Sequence, residues 1–293
     1  MDELSLYGKR KRPGELFWTA VIYGAASLSV FLLLGIMAYV FSRGFRVLSL
    51  RFFFTATSAL KGTVGIGGNL LNTFFLMGIT LSAAVPLGVG CAVYLNEYAG
   101  RGRMVRLIEL TTEILAGIPS VIFGLFGMVF FGRVLGLGYS LLSGSLTLAI
   151  MVLPLIVRST QEALSAVPDA YREGALGLGA AKWYLIRTIL LPCARTGILT
   201  GILLAVGRIL GESAALLFTA GSARLLPKAG RGFWENVRGI GRKAAEPGGT
   251  LAVELYLQMQ KGEYKTAFGI GCVLIMAAVL LNLLLRLAGR LKG

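Results

Sequence analysis

Long stretches without a formal charge alternate with short polar stretches along nearly the whole chain. The first, residues 17–41, holds 25 residues, more than the roughly 20 that an α-helix needs to cross a hydrocarbon layer about 30 Å thick. Comparable runs follow at residues 70–95, 114–132, 141–157, 196–219 and 266–285, so the pattern predicts six transmembrane helices and an all-α polytopic membrane protein. Proline falls inside three of them: a kink is expected at Pro86, Pro119 with several Gly interrupts the third helix, and the fourth contains Pro154. The polar stretches read as connectors. Residues 42–69 form an outer connector rich in Arg, Phe and Gly. Residues 96–113 form a charged loop with Glu97, Arg101, Arg103, Arg106, Glu109 and Glu113, and Arg133 sits in a short loop. Residues 220–265 make the longest loop, in which 250–261 predict a short helix with Leu251, Leu255 and Met259 recurring every fourth residue. The first run is too long for a signal-peptide core and no small-residue cleavage site stands out, so it is read as an uncleaved helix.

Composition agrees with this pattern. Of 293 residues, 56% are hydrophobic and 15% charged, which is too apolar for a soluble domain. The net charge of +15 is dispersed between apolar runs and forms no stripe or patch, which argues against nucleic acid as a partner. Histidine is absent, removing the commonest general base and metal ligand. Cys91, Cys193 and Cys272 are far apart, with no C-x-x-C, and predict neither a disulfide nor a metal site. A membrane enzyme would need a nucleophile, base or metal cluster that this chain does not offer. A secondary transporter would commonly carry inverted repeats, and no clear internal repeat is present. No G-x-x-x-x-G-K-[ST] loop occurs, so any ATP that powers the chain is hydrolysed elsewhere. Lys and Arg number 15 on the side of the N-terminus and 13 on the other, with Arg208 inside the fifth helix, so the positive-inside rule barely orients the bundle.

The central polar stretch, residues 167–192, carries more information. Pro168 suits the first turn of a helix, Gly179 a break between two short helices, and Pro192 the end of one segment or the opening of the next. Glu173-Gly174-Ala175, then Gly179, then Ile189-Leu190-Leu191-Pro192 resembles the EAA loop of permease subunits from ABC importers, E-A-A, three residues, G, nine residues, I-x-L-P. Gly174 stands where the family has Ala, a change worth about 0.5–1 kcal/mol of helix propensity. The resemblance implies a type I importer permease fold and a cytoplasmic loop that docks on an ATPase. Pro168, Glu173, Gly174, Ala175, Leu178, Gly179, Ala180 and Pro192 are then its coupling residues. It also orients the chain, with both termini cytoplasmic.

The second informative stretch is V-G-R-I-L-G-E-S-A-A-L-L-F-T-A, residues 206–220. Arg208 and Glu212 lie mid-helix, where a charge costs roughly 2.5–3.5 kcal/mol on insertion scales, and their i,i+4 spacing predicts one shared face. The alternatives are a structural ion pair and an anion site, and the cost of intramembrane charge favours the site. The run resembles the G-R-x-x-G-E-T-A-P-L-L-F-T-A signature of PstA-type permeases of bacterial phosphate ABC importers, with Ser213 for Thr and Ala215 for Pro. The stretches 94–98 (Y-L-N-E-Y), 115–127 and 153–158 are similar to the same family. The resemblance implies phosphate passage by Arg208 and Arg158, with Glu212 and Ser213 beside the path. It implies a PstC-type sister permease, two PstB-type ATPase subunits that hold ATP and Mg, and a PstS-type extracytoplasmic binding protein. A permease for sulfate or molybdate is the alternative within the class. The chain then divides into a cytoplasmic segment 1–16, a first helix with its outer connector 17–69, a permease core 70–285 containing loops 167–192 and 220–265, and a basic tail 286–293. Gly24, Gly78, Gly88, Gly90, Gly124 and Gly127 predict close helix packing.

Overall fold

The computed structural model describes residues 13–58, 63–100, 102–223 and 241–290. Helix α1 (Pro13–Gly44) opens on a proline in its first turn, where a missing N–H costs little. Its apolar side chains are exposed almost throughout, as befits a helix bathed in lipid. Its end is anchored: Tyr39 meets Phe268 edge-on at 5.6 Å, and the Cys272 thiol donates to the Val40 carbonyl at 3.3 Å. The connector then forms a short helix, α2 (Leu50–Phe54), and a two-stranded antiparallel hairpin, Ala56–Ser58 with Thr63–Ile66, a small addition to the all-α expectation.

The core is built by three long helices: α3 (Gly67–Val93), α6 (Leu141–Ser165) and α9 (Leu191–Gly211). Leu76, Leu148, Val152, Ile156 and Val206 are buried among them. Helix α3 runs unbroken through Pro86, and α6 continues two turns beyond the predicted end at 157. Ser140 caps α6 by accepting from the Ser143 N–H at 3.1 Å. The predicted glycine packing holds at Gly88, Gly124 and Gly127, where an added Cβ would strike Ile156, Ala215 and Thr147 respectively, whereas Gly24, Gly78 and Gly90 meet no neighbour among the described residues. At Gly124 the Cβ would lie 2.8 Å from the Ala215 Cα, which no rotamer change relieves. Gly124→Ala should therefore destabilise by about 1–3 kcal/mol and lower the thermal midpoint in detergent. Gly78→Ala, the matched control, meets no neighbour among the described residues and should not lower that midpoint, alanine being the better helix former.

The third and fifth runs depart from expectation. The segment 96–113 is not a loop: a π-helical turn, Tyr94–Tyr98, ends α3, and Arg103–Gly117 is helix α4. The third span is not one helix over 114–132. It is α4 plus α5 (Ser120–Gly127), which runs on into a π-helical turn, Met128–Val134, and the two arms are bent by 102°. Pro119 drives the break: it offers no N–H and pushes Ile118 to extended backbone (φ −71°, ψ 131°). Among the described residues, five helices are long and apolar enough to cross a membrane, or six if the bent pair counts as one span.

The fifth run starts earlier, with Pro192 opening α9, and breaks at Glu212 and Ser213 before α10 (Ala214–Thr219). The paired short helices of the central loop form as predicted, as α7 (Asp169–Gly177) and α8 (Lys182–Leu185). In the 220–265 loop, residues 224–240 lie outside the described residues. Its predicted helix is α11 (Leu251–Gln260), capped by the Thr250 hydroxyl. Its buried face is Leu251 to Glu254 with Gln258, and Met259 is exposed, so it covers the bundle against α12 (Tyr264–Arg290). Asn69 and Asn72 of α3 hold its approach by donating to the Gly249 carbonyl at 3.1 and 3.2 Å.

Candidate functional site

Two features have the geometry of working parts, and both lie toward the end of the bundle where α3 and α6 finish. The first is a cavity of about 390 Å³ between α4, α6 and α9. Helix α6 contributes Met151, Pro154, Leu155, Arg158 and Gln161, and α9 contributes Arg208. Helix α4 contributes Glu109, Thr112, Glu113 and Ala116, one face at i, i+3, i+4 and i+7. The next face of α4 anchors it, because Val105, Ile108 and Leu115 pack on the core. Arg158 and Arg208, 50 residues apart in sequence, thus open on one space. Arg158 also makes an exposed i,i+4 pair with Glu162 at 3.4 Å, which contributes little stability. Arg208 has no ion pair among the described residues.

Glu212 does not share a helical face with Arg208. It sits at the end of α9 in extended backbone (φ −78°, ψ 122°), and its Oε1 accepts the Ala215 N–H at 3.1 Å. The carboxylate thereby caps α10, meeting an N–H that the helix start leaves unpaired. The i,i+4 geometry fails because it presumes an unbroken helix. Ser213 lies in the same break, and neither residue lines the cavity.

The second feature is the platform of α7 and α8. Pro168 precedes the first turn of α7. At its end the Ala180 N–H donates to the Ala175 carbonyl at 3.0 Å and the Gly179 N–H to the Leu176 carbonyl at 2.9 Å, a Schellman cap. That cap requires the left-handed backbone of Gly179 (φ +81°), which is why glycine stands there. Ala175 packs inward, toward Leu164, Val167 and Leu185. Glu173, Gly174 and Leu178 face outward, and Leu178 is 92% exposed beside exposed Leu176, Trp183 and Tyr184.

Arg172 ties this platform to the bundle. Its guanidinium donates to Glu97 Oε1 through Nε (3.2 Å) and Nη2 (3.0 Å), to the Leu164 and Val167 carbonyls (2.9 and 2.8 Å), and to Asp169 (3.0 Å). Asn96 donates to the same Glu97 oxygen at 2.8 Å, and the Lys182 ammonium lies 5.0 Å from the centre of the Tyr98 ring. Three segments, the ends of α3 and α6 and the start of α7, are thus locked at one side chain.

Residues 84–291 match the family of binding-protein-dependent transport system inner membrane components. The chain belongs to this family. It is a membrane component of a transporter and not its catalytic subunit. It is 34% identical over 269 residues to a probable ABC transporter permease protein, YqgI, of Bacillus subtilis, covering 90% of this chain and 91% of that protein. It is 35% identical over 204 residues to the phosphate transport system permease protein PstA of Haemophilus influenzae, covering 70% and 72% respectively. The fold matches a subunit of a bacterial alginate ABC transporter, crystallised with an alginate-pentasaccharide-bound periplasmic protein, at a TM-score of 0.64 and 17% identity, covering 92% of each chain. The architecture of this permease component is therefore that of the type I importer.

The cavity and the clamp add residues that the sequence did not single out. Glu109 and Glu113 fell in a stretch read as loop, although the spacing 109, 112, 113, 116 was there to be seen as a helical face. Arg172 and Glu97 are 75 residues apart, and nothing in the order of residues pairs them.

Proposed function

We propose that this chain is the PstA-type permease subunit of an ATP-driven importer of inorganic phosphate. It sits in the cytoplasmic membrane as a multi-pass protein with both termini cytoplasmic, and residues 70–285 form its permease core. A PstC-type sister permease completes the translocation path, two PstB-type ATPase subunits hold ATP and Mg, and a PstS-type binding protein delivers phosphate from outside.

The observation that carries this reading is the meeting of Arg158 and Arg208 on one cavity, with Arg208 unpaired among the described residues. A guanidinium presents forked, permanently charged donors that match tetrahedral oxyanions. Two of them arriving from different helices support an anion route better than a packing role, which an apolar side chain would fill without the cost of intramembrane charge. Similarity to PstA proteins supports phosphate as the anion. The exposed platform of α7 and α8 supports docking on the ATPase. Closure of the ATPase pair would move that platform, swing the permease pair as rigid bodies, and open the cavity alternately to the two sides.

Uptake of phosphate and sulfate by phosphate-starved cells lacking other phosphate systems tests the proposal. Deletion of the chain should abolish phosphate uptake and spare sulfate. Wild-type protein should restore it, and Arg208→Gln should restore less than a tenth. Loss of sulfate uptake instead would reassign the substrate, and full rescue by Arg208→Gln would reduce that residue to packing.

A further inference from the structure

An anion path has no evident use for carboxylates, yet α4 turns two of them into the cavity that holds Arg158 and Arg208. Glu109 and Glu113 are one helical turn apart, and neither makes an ion pair or side-chain hydrogen bond among the described residues. The Thr112 hydroxyl between them is turned back onto the Ile108 carbonyl at 2.8 Å, so it offers the cavity no donor in that pose. The charged groups bounding the space are therefore donors that cannot accept, the guanidiniums, and acceptors that cannot donate while ionised, the carboxylates, with the Gln161 amide, which can do either, beside them.

A protonated oxyanion suits such a space better than an unprotonated one. A fully deprotonated tetrahedral anion, such as sulfate, gains from the arginines but meets a carboxylate with nothing to share. A phosphodiester of a lipid headgroup carries no P–OH and is refused for the same reason. Inorganic phosphate keeps at least one proton at neutral pH, so it can donate that O–H to a carboxylate while its charged oxygens accept from guanidinium.

We propose that Glu109 and Glu113 are specificity-determining residues that admit a protonated oxyanion and refuse an unprotonated one. The proposal rests on the reading of the cavity as the phosphate path. It places that discrimination on α4 rather than on Glu212, whose carboxylate is engaged in capping α10. A carboxylate that lines the route discriminates because the unprotonated ligand brings it no hydrogen bond and repels its charge.

The external binding protein would mask this selection in an uptake assay. The test is therefore equilibrium binding of radiolabelled phosphate to the purified permease–ATPase complex without that protein. Unlabelled arsenate, which is protonated like phosphate, and sulfate serve as competitors, and a short-chain phosphodiester lipid serves as the headgroup probe. With the wild type, arsenate should displace phosphate, while sulfate and the lipid should not. In Glu109→Gln/Glu113→Gln, whose amides can donate to sulfate, displacement by sulfate should begin at a concentration at least tenfold lower. Glu113→Asp, which keeps the carboxylate, should keep refusing sulfate. Unchanged refusal of sulfate by the double variant, with phosphate still bound, overturns the role of the carboxylates alone. Absence of saturable phosphate binding in the wild type, or binding indifferent to Arg208→Gln, counts against the phosphate site itself.

Discussion

Replacing Arg172 by alanine is expected to abolish phosphate uptake while leaving ATP hydrolysis running. Arg172 is 18% exposed and Glu97 6% exposed, so the pair is largely withdrawn from water. Removing one partner of such a pair leaves Glu97 without a countercharge, met by the Asn96 amide, at a cost of about 3–5 kcal/mol. The guanidinium also donates to the Leu164 and Val167 carbonyls at the end of α6, and both contacts are lost with it. Helix α7 has only nine residues and cannot persist on its own, because isolated helices shorter than about 12–15 residues are marginal in water. Without the clamp, a push on α7 would move α7 and not the ends of α3 and α6. The measurement is ATP hydrolysed per phosphate imported in proteoliposomes holding the whole transporter. That ratio should rise at least a hundredfold in Arg172→Ala. Adding Glu97→Gln to Arg172→Ala removes the stranded charge, so it should restore thermal stability of the complex without restoring transport. A purely structural Arg172 would give the opposite: lost assembly, and an unchanged ratio in whatever complex survives. Wild-type stoichiometry in Arg172→Ala would sink the coupling role.

The parts of this molecule that were legible in its sequence are those that the bilayer dictates locally. A span must be apolar at nearly every position, whatever its neighbours do, so the runs beginning at 17, 70, 141 and 266 mark real helices. The turn at Gly179 was legible for an equally local reason, since the cap needs a left-handed residue there. Breaks were less so. Pro119 announced an interruption but not its 102° bend, because the angle is set by how α5 packs against α10 and α6. The break at Glu212 and Ser213 carried no proline, since Ala215 stands at that place in the motif, and an apolar run on both sides concealed it. The cavity inherits both difficulties. Its two arginines were marked by motif, but the carboxylates opposite them are brought there only by the bend after α4. The Arg172–Glu97 clamp is a contact between segments 75 residues apart, which a pattern of period 3.6 cannot encode.

Replacing Leu178 by aspartate is expected to detach the ATPase subunit from an otherwise intact permease, and with it all transport. Leu178 stands at the tip between α7 and α8, 92% exposed, and Leu176, Trp183 and Tyr184 extend the same apolar surface. Exposed apolar patches of this kind mark contact surfaces, and residues so free of intrachain contact contribute little to the fold that carries them. Burying a leucine side chain in a partner's groove gives about 1.5–3 kcal/mol. Aspartate would forgo that gain and also bring an unpaired charge into the groove, so the loss exceeds that of truncation to alanine. Because the cap at Gly179 is made by backbone groups, Leu178→Asp leaves the turn itself in place. The measurement is co-purification of the ATPase subunit with the tagged permease pair, alongside the thermal midpoint of the pair alone. The expected result is an unchanged midpoint, no retained ATPase, and uptake at background, with Leu178→Met close to wild type on all three counts. Retention of the ATPase by Leu178→Asp would show that the tip of the platform lies outside the contact, and would move the docking surface to the flank formed by Tyr171 and Glu173 on α7.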